Sequence, residues 1–205
     1  MTKVIQPEEK SVLIEALKQG EVVSFPTETV YGVAVKFNDR AALDKLMEAK
    51  NRDYSKAVTL MLSHREDIGK YAEIDERVEK VAEAFMPGKI TLVLKRKDSV
   101  DPAMTNNLPT IGIRIPDSPF VLDLIDKAGP LLVTSANISG GCNTTNEQEV
   151  LAQLDGRIAL VVAGETHNTT ASTVVNMSDG QLKILREGEI SLRDIEEVLS
   201  KLRLQ

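Results

Sequence analysis

Apolar and polar positions follow short blocks along this chain, and the period of the pattern changes from block to block. Residues 7–20, "PEEKSVLIEALKQG", set Val12, Leu13, Ala16 and Leu17 at helical spacing, with proline and glutamates at the start and Gly20 as the stop. Residues 39–51, "DRAALDKLMEAKN", repeat that spacing with Leu43, Leu46 and Met47 inward. Three more stretches predict helices: 76–88, closed by Pro87-Gly88; 118–129, with Ser118 as cap and Gly129 as stop; and 191–204. Between them lie runs that read as strands: 21–25, 32–37, 57–62, 90–96, 110–116, 130–135, 158–164, 171–177 and 181–188. The stretch from Asp98 to Pro109 reads as a long connection.

Strands and helices interleave without strict alternation, which predicts an α/β (α+β in some schemes) fold. A large mixed sheet with helices on its faces suits the order better than a pure doubly wound fold. No repeat, low-complexity run or linker divides residues 1–205, so one domain is expected. The composition changes little in this picture. Aromatics are 3% and tryptophan is absent, so the core is aliphatic. A net charge of −6 advertises no general affinity for nucleic acid, although a local basic groove depends on distribution. The single cysteine, Cys142, excludes an internal disulfide framework and a Cys-based zinc site. The start "MTKVIQPEEK" has no apolar signal region, and no run is long enough to span a membrane, so a reduced, cytoplasmic protein is expected.

One link breaks the simple pattern. Between the strands at 21–25 and 32–37 stands "PTETVYG", with two threonines, a glutamate and a tyrosine, where a plain hairpin needs only about two to five turn residues. Four other polar groups stand out. "AKNRDYSK" carries Lys50, Arg52 and Lys56; "TIGIRIP" carries Arg114; "TSANISG" carries Ser135 and Asn137; "ASTVVN" and "ILREG" carry Ser172 and Arg186. Taken singly, each has an ordinary explanation as a helix end, an exposed strand position or a turn. Together they predict an anion-binding cleft, because arginine offers a fork for phosphate or carboxylate and strand ends are where α/β sheets bind ligands. No GxxxxGK[ST], GxGxxG or GxSxG motif is present, and His64 and His167 lack a metal-ligand pattern.

The ordered set "PTETVYG", "KNR", "PGKITLVL", "IGIRIP", "TSANISG", "STVV" and "ILREG" resembles the YrdC-like family of threonylcarbamoyl-AMP synthases over roughly residues 8–190. The resemblance implies a single three-layer domain, a large twisted mixed β-sheet flanked by helices with a concave, locally positive face. It implies a nucleotidyltransferase that forms L-threonylcarbamoyl-AMP and pyrophosphate from L-threonine, bicarbonate or CO2, and ATP, with Mg²⁺ accompanying ATP. It also implies that the product passes to a tRNA threonylcarbamoyl transferase, and that tRNA or double-stranded RNA is a potential partner.

Residue roles carry over from the resemblance position by position. Lys50 and Arg52 match the catalytic KxR signature. Thr29, Arg114, Ser135 and Ser172 match threonine contacts, and Arg52, Lys56, Thr110, Asn137, Thr145 and Arg186 match nucleotide contacts. Asp53 and Ala57 stand where the family often has prolines, and "HNTTASTVV" lacks the glycine-rich approach common before the STV segment. The extra C-terminal domain of longer members is not expected. Two other readings use the same cations: a module that binds structured RNA without chemistry, and a paralogue acting on another carbamoyl compound.

Overall fold

A short first strand, β1 (Lys3–Ile5), precedes helix α1 (Lys10–Lys18) in the computed structural model, which describes residues 1–201. Leu13 and Leu17 of α1 are buried, but Val12 is exposed, against the expectation that it faces inward. The apolar stripe is centred on Leu13 and Leu17, and each residue turns a helix by about 100°, which carries Val12 to the solvent side. β2 (Val23–Phe25) and β3 (Gly32–Lys36) then pair antiparallel, with Val23 opposite Ala34. The "PTETVYG" link therefore does join a hairpin.

Helix α2 (Arg40–Ala49) starts at Asp39, whose side chain accepts from the Ala42 amide. It ends directly at Lys50, and Asn51 adopts a left-handed φ of 49°. β4 (Thr59–Met61), the short α3 (Ile68–Tyr71), α4 (Glu76–Phe85), β5 (Ile90–Lys95) and β6 (Thr110–Arg114) follow. α4 stops ahead of Pro87, which has no amide proton to continue the ladder. The 98–109 connection holds one 3-10 turn, Pro102–Thr105. α5 (Pro119–Ala128), capped by Ser118, leads into β7 (Leu131–Ser135) and α6 (Glu147–Leu154). β8 (Leu160–Val162), β9 (Thr173–Asn176), β10 (Lys183–Arg186) and α7 (Leu192–Ser200) complete the described elements. The final part of the helix expected at 191–204 lies outside the described residues.

The strands form one ten-stranded mixed sheet in the order β1-β8-β2-β3-β7-β4-β6-β5-β9-β10. Three elements were not expected from sequence. β1 and α3 are very short, and Val4 of β1 is 40% exposed, so neither leaves a clear apolar period. α6 hides in the polar run "EQEVLAQL", where Val150 and Leu154 are its buried positions. Among the described residues no helix is long and apolar enough to cross a membrane.

The two faces of the sheet are covered unequally, and this positions the site. On one face α2, α4, α6 and α7 pack over strands from β8 across to β9, through residues such as Leu46, Val81, Leu60, Leu92, Ile113 and Val175. On the other face α1 and α5 pack only over the half built from β1, β8, β2, β3, β7 and the end of β4, through Leu13, Leu17, Leu124, Phe25, Val133 and Val162. Strand residues alternate between faces. Thr91, Val93, Gly112, Arg114 and Val174 therefore point toward the half that no helix covers.

Candidate functional site

That uncovered half-face is the floor of a cleft. Its lining includes Thr29, Arg52, Arg114, Ser135, Ser172 and Arg186, which sequence reasoning had picked from six separate segments. The floor of the cleft is mid-strand, at Val93, Gly112 and Val133, while Arg114, Ser135 and Arg186 each end a strand, where the sequence reading had put the ligand site. The short reach of α1 and α5 across the face leaves that floor open. Thr59 lies opposite Gly112 on β6, and Gly112 lies opposite Val93 on β5. At Gly112 a side chain would meet Thr91 Cγ2 at 3.5 Å and Thr59 Oγ1 at 3.7 Å, so glycine keeps the middle of the floor low.

The hairpin loop forms one wall. Thr27 Oγ1 donates to the Val30 carbonyl at 2.7 Å and accepts from the Thr29 amide at 3.1 Å. The Thr29 hydroxyl lies 3.0 Å from Thr27 Oγ1. Tyr31 is fully buried, and its hydroxyl reaches the carbonyls of Gly164 at 2.7 Å and Val162 at 3.0 Å, tying the loop to β8. Burial, with Glu147 and Glu165 nearby, holds the Tyr31 hydroxyl in its protonated form well above the usual range. The polar residues of "PTETVYG" thus bond the loop to itself and to the sheet, leaving oxygen atoms on the cleft.

Glu28, which sequence reasoning gave no role, holds Arg114. Arg114 Nη2 donates to Glu28 Oε1 at 2.6 Å and to Thr29 Oγ1 at 3.1 Å, while Nε donates to the Gly88 carbonyl at 3.2 Å. Glu28 Oε1 also accepts from the Asp117 amide at 3.0 Å. Arg114 is 5% exposed, so it is not the solvated strand arginine of the ordinary reading. Across the cleft, Arg186 Nε donates to the Ser172 carbonyl at 3.0 Å and Nη2 donates to Ser172 Oγ at 3.1 Å. Ser172 Oγ is in turn 2.9 Å from Thr91 Oγ1. Thr91 was missed from sequence, although a lone hydroxyl in the apolar run "ITLVLK" was the available signal.

Arg52 completes a triad of guanidinium groups. Its Nη2 donates to the Ala57 carbonyl at 2.8 Å, and its Nε is buried with no partner among the described residues. Burial, and then the charge of Arg186, pulls the Arg52 pKa below its ordinary value; burial and Arg114 do the same to Arg186. Like charges held this closely favour an anion between them. The departures at Asp53 and Ala57 fit this arrangement. Asp53 Oδ1 turns away to accept from the Ser55 amide at 2.8 Å, and Ala57 contributes its backbone carbonyl, which any residue would supply.

Lys50 and Asn137 stand behind the lining. Lys50 is 1% exposed and its ammonium donates to the carbonyls of Ser135 and Asn137 and to Asn137 Oδ1. Burial, and then the charges of Arg52 and Lys56, pulls its pKa down to about 7. Asn137 donates from Nδ2 to the carbonyls of Ile138 at 3.0 Å and Gly141 at 2.8 Å, and accepts from Ser135 Oγ at 2.5 Å. Both residues brace the end of β7, where Ser135 sits, and neither lines the cleft. Lys56 lies at the rim, with Nζ 3.3 Å from Ser139 Oγ. Thr110 starts β6 on the same face as Gly112, one strand repeat outside the lining. Thr145 bonds to Glu149 Oε2 at 3.1 Å and is not part of the cleft wall. Among the described residues no group of three His, Cys, Asp or Glu side chains is placed to hold a metal ion.

Comparison with known proteins agrees with this geometry. A family model for Sua5, YciO and YrdC, described as telomere recombination, matches residues 15–188. The threonylcarbamoyl-AMP synthase of Bacillus subtilis is 36% identical over 92% of this chain, and that of Pyrococcus abyssi is 34% identical over 92%. The chain spans 56% of the length of each of these two relatives. The structure of P. abyssi Sua5 complexed with L-threonine superposes with a TM-score of 0.90 at 31% identity, covering 97% of this chain and 61% of that one. Escherichia coli YciO, at 22% identity, shares the fold with a TM-score of 0.87 over 95% of this chain and all of its own. With the family model covering most of its length and the cleft residues in the expected order, the chain belongs to the Sua5–YciO–YrdC family.

Proposed function

We propose that this chain is an L-threonylcarbamoyladenylate synthase: it joins L-threonine, bicarbonate or CO2, and ATP into L-threonylcarbamoyl-AMP and releases pyrophosphate. The observation that carries the reading is the convergence of Arg52, Arg114 and Arg186 on one cleft floored by small and hydroxyl side chains. The names of the B. subtilis and P. abyssi relatives, and the threonine bound to P. abyssi Sua5, support the same substrates.

The chemistry makes the need for cations plain. The neutral amine of threonine attacks CO2, releases one proton to solvent and becomes a carbamate. A carbamate oxygen then attacks the α-phosphorus of ATP, and pyrophosphate leaves. A carboxylate, a carbamate and a triphosphate must crowd together, and fixed guanidinium groups offset that repulsion without reorganising. In this reading Arg114 takes the threonine carboxylate, and Thr29, Ser135 and Ser172 line the same pocket. Arg52 and Arg186 face the phosphates, with Lys56 and Thr110 toward the outer end of the nucleotide. Lys50 and Asn137 act by holding Ser135 in place. Catalysis is positioning and charge stabilisation, with no covalent nucleophile. Mg²⁺ enters as the counter-ion of ATP; among the described residues no group of three His, Cys, Asp or Glu side chains is placed to hold it. The adenylate is then a substrate for a transferase acting on tRNA.

The deciding experiment mixes the protein with labelled bicarbonate, L-threonine and MgATP. Label in an adenylate, with pyrophosphate release that requires all three substrates, supports the reading. Pyrophosphate release without threonine, or none at all from folded protein, rejects it.

A further inference from the structure

Two hydroxyl groups on the cleft, those of Thr29 and Ser135, are not free to act as either donor or acceptor. Their protons can be traced. Thr27 Oγ1 is 2.7 Å from the Val30 carbonyl, which can only accept, so the Thr27 proton is committed there. Thr27 Oγ1 is therefore an acceptor toward Thr29, both for the amide at 3.1 Å and for the hydroxyl at 3.0 Å. That commits the Thr29 proton to Thr27. Thr29 Oγ1 also accepts from Arg114 Nη2 at 3.1 Å, and it presents only lone-pair density to anything else.

Ser135 reaches the same state by another route. The Asn137 amide is fixed in orientation, because its nitrogen faces two carbonyls, Ile138 O at 3.0 Å and Gly141 O at 2.8 Å, which only an N–H can satisfy. Its oxygen then faces Ser135 Oγ at 2.5 Å, so Ser135 must be the donor. Lys50 also donates to that oxygen, which fixes its role as an acceptor. Two side chains on the cleft thus have their protons turned inward, away from the ligand.

We infer that Thr27 is a positioning residue: by taking the Thr29 proton it makes Thr29 Oγ1 an obligate acceptor that reads the amine of an α-amino acid, with Ser135 a second fixed acceptor on the same cleft. This rests on the proposed threonine-dependent activity. An α-amino acid carries its amine two bonds from its carboxylate. A carboxylate held by Arg114 brings that amine beside Thr29 Oγ1, the oxygen already bonded to Arg114 Nη2. A hydroxyl free to rotate would donate to the carboxylate instead and would accept an acid lacking the amine equally well. Fixing the proton on Thr27 removes that alternative, and an acid without an amine leaves a buried acceptor unpaired. Thr27 and Thr29 are 6% and 1% exposed, so water does not readily take the place of the amine.

The test compares binding of L-threonine with that of 3-hydroxybutyrate, the same skeleton without the amine, by titration calorimetry. Wild-type protein is expected to prefer L-threonine by at least about tenfold. Thr27→Val keeps the shape and removes the acceptor for the Thr29 proton; the preference is expected to fall by about tenfold, while Thr27→Ser restores it. The KM for ATP is expected to stay near wild type in both. An unchanged preference in a Thr27→Val protein that still binds L-threonine overturns the inference, as does a loss that Thr27→Ser fails to restore. If Thr27→Val does not melt cooperatively, Thr29→Val carries the test, because it deletes the acceptor itself; an unchanged preference there also overturns the inference. Wild-type protein that binds no L-threonine overturns the proposed function instead, so the two failures are distinct.

Discussion

Arg114 Nη2 and Glu28 Oε1 form an ion pair at 2.6 Å, with side chains 6% and 14% exposed. Glu28 belongs to the hairpin loop and Arg114 to β6, so the pair fixes the loop against the sheet. Breaking a buried pair from one side strands the other charge and costs about 3–5 kcal/mol. Arg114→Ala is therefore expected to lower stability by an amount of that order and to weaken threonine more than ATP. Glu28→Gln keeps an acceptor for Arg114 and for the Asp117 amide, and is expected to lower stability less. Thermal melts with separate calorimetric titrations of each ligand check both. Unchanged threonine affinity with damaged ATP affinity in Arg114→Ala would exchange the roles of Arg114 and Arg186.

Lys50 and Arg52 stand two residues apart in "KNR" yet do different work in this structure. Lys50 donates to the end of β7 and the loop after it, whereas Arg52 lines the cleft with an Nε that has no partner among the described residues. Each alanine variant is expected to reduce adenylate formation by at least about tenfold, or about 1.4 kcal/mol in the barrier. The accompanying losses should differ. Lys50→Ala leaves buried oxygens without a donor and is expected to lower the melting temperature as well. Arg52→Ala is expected to raise the KM for ATP with little change in stability. Normal turnover in either folded variant would remove that residue from the site.

The buried Lys50 ammonium also predicts a pH dependence. Its folded pKa is pulled down to about 7, whereas a free lysine titrates near 10.4. Between those values the unfolded chain binds the extra proton, so this group's contribution to stability rises with pH from about 7 to about 10 and is absent below. Urea midpoints of wild type and Lys50→Met, compared at pH 6.5 and pH 9, measure it. The difference is expected to move in favour of wild type at the higher pH. A difference that does not change with pH would mean that Lys50 keeps an ordinary pKa.

Most of the sheet was legible because each long strand carries an apolar run bounded by turn residues, as in "ITLVLK" and "PLLVTS". The missing elements were those whose burial comes from partners distant in sequence. β1 pairs in parallel with β8 through Lys3 and Leu160, a contact that no local pattern announces. The cations of the site were legible because Arg114 interrupts an apolar strand, Arg186 ends one, and Arg52 stands with Lys50 just past a helix. Glu28 and Thr91 were not, because their meaning lies in a partner distant in sequence: Arg114 for one and Ser172 for the other. Asn137 was legible as a site residue but not in its orientation, which depends on the Ile138 and Gly141 carbonyls. Residue type and spacing point to a cleft; which atoms face it is decided by the hydrogen bonds behind it.

Selectivity for the amino acid side chain gives the last expectation. Threonine, serine and valine differ by a methyl or a hydroxyl, so the cleft must separate them by packing and by hydrogen bonding independently. Val133 and Val174 line the cleft beside the hydroxyl groups and offer an apolar contact to a methyl. The Thr91–Ser172 pair, 2.9 Å apart, uses one proton between its two oxygens and has a second proton left to donate. A substrate hydroxyl can accept that proton; a valine methyl cannot. Loss of a methyl to serine is expected to cost about 1–3 kcal/mol, and loss of the hydroxyl to valine more, because a buried donor is then unpaired. Valine and threonine are nearly isosteric, so volume does not separate them. Pyrophosphate release with threonine, serine and valine at equal concentration, in the presence of bicarbonate and MgATP, measures both differences. Valine turning over as well as threonine would show that the hydroxyl is not read, and would remove the Thr91–Ser172 pair from substrate recognition.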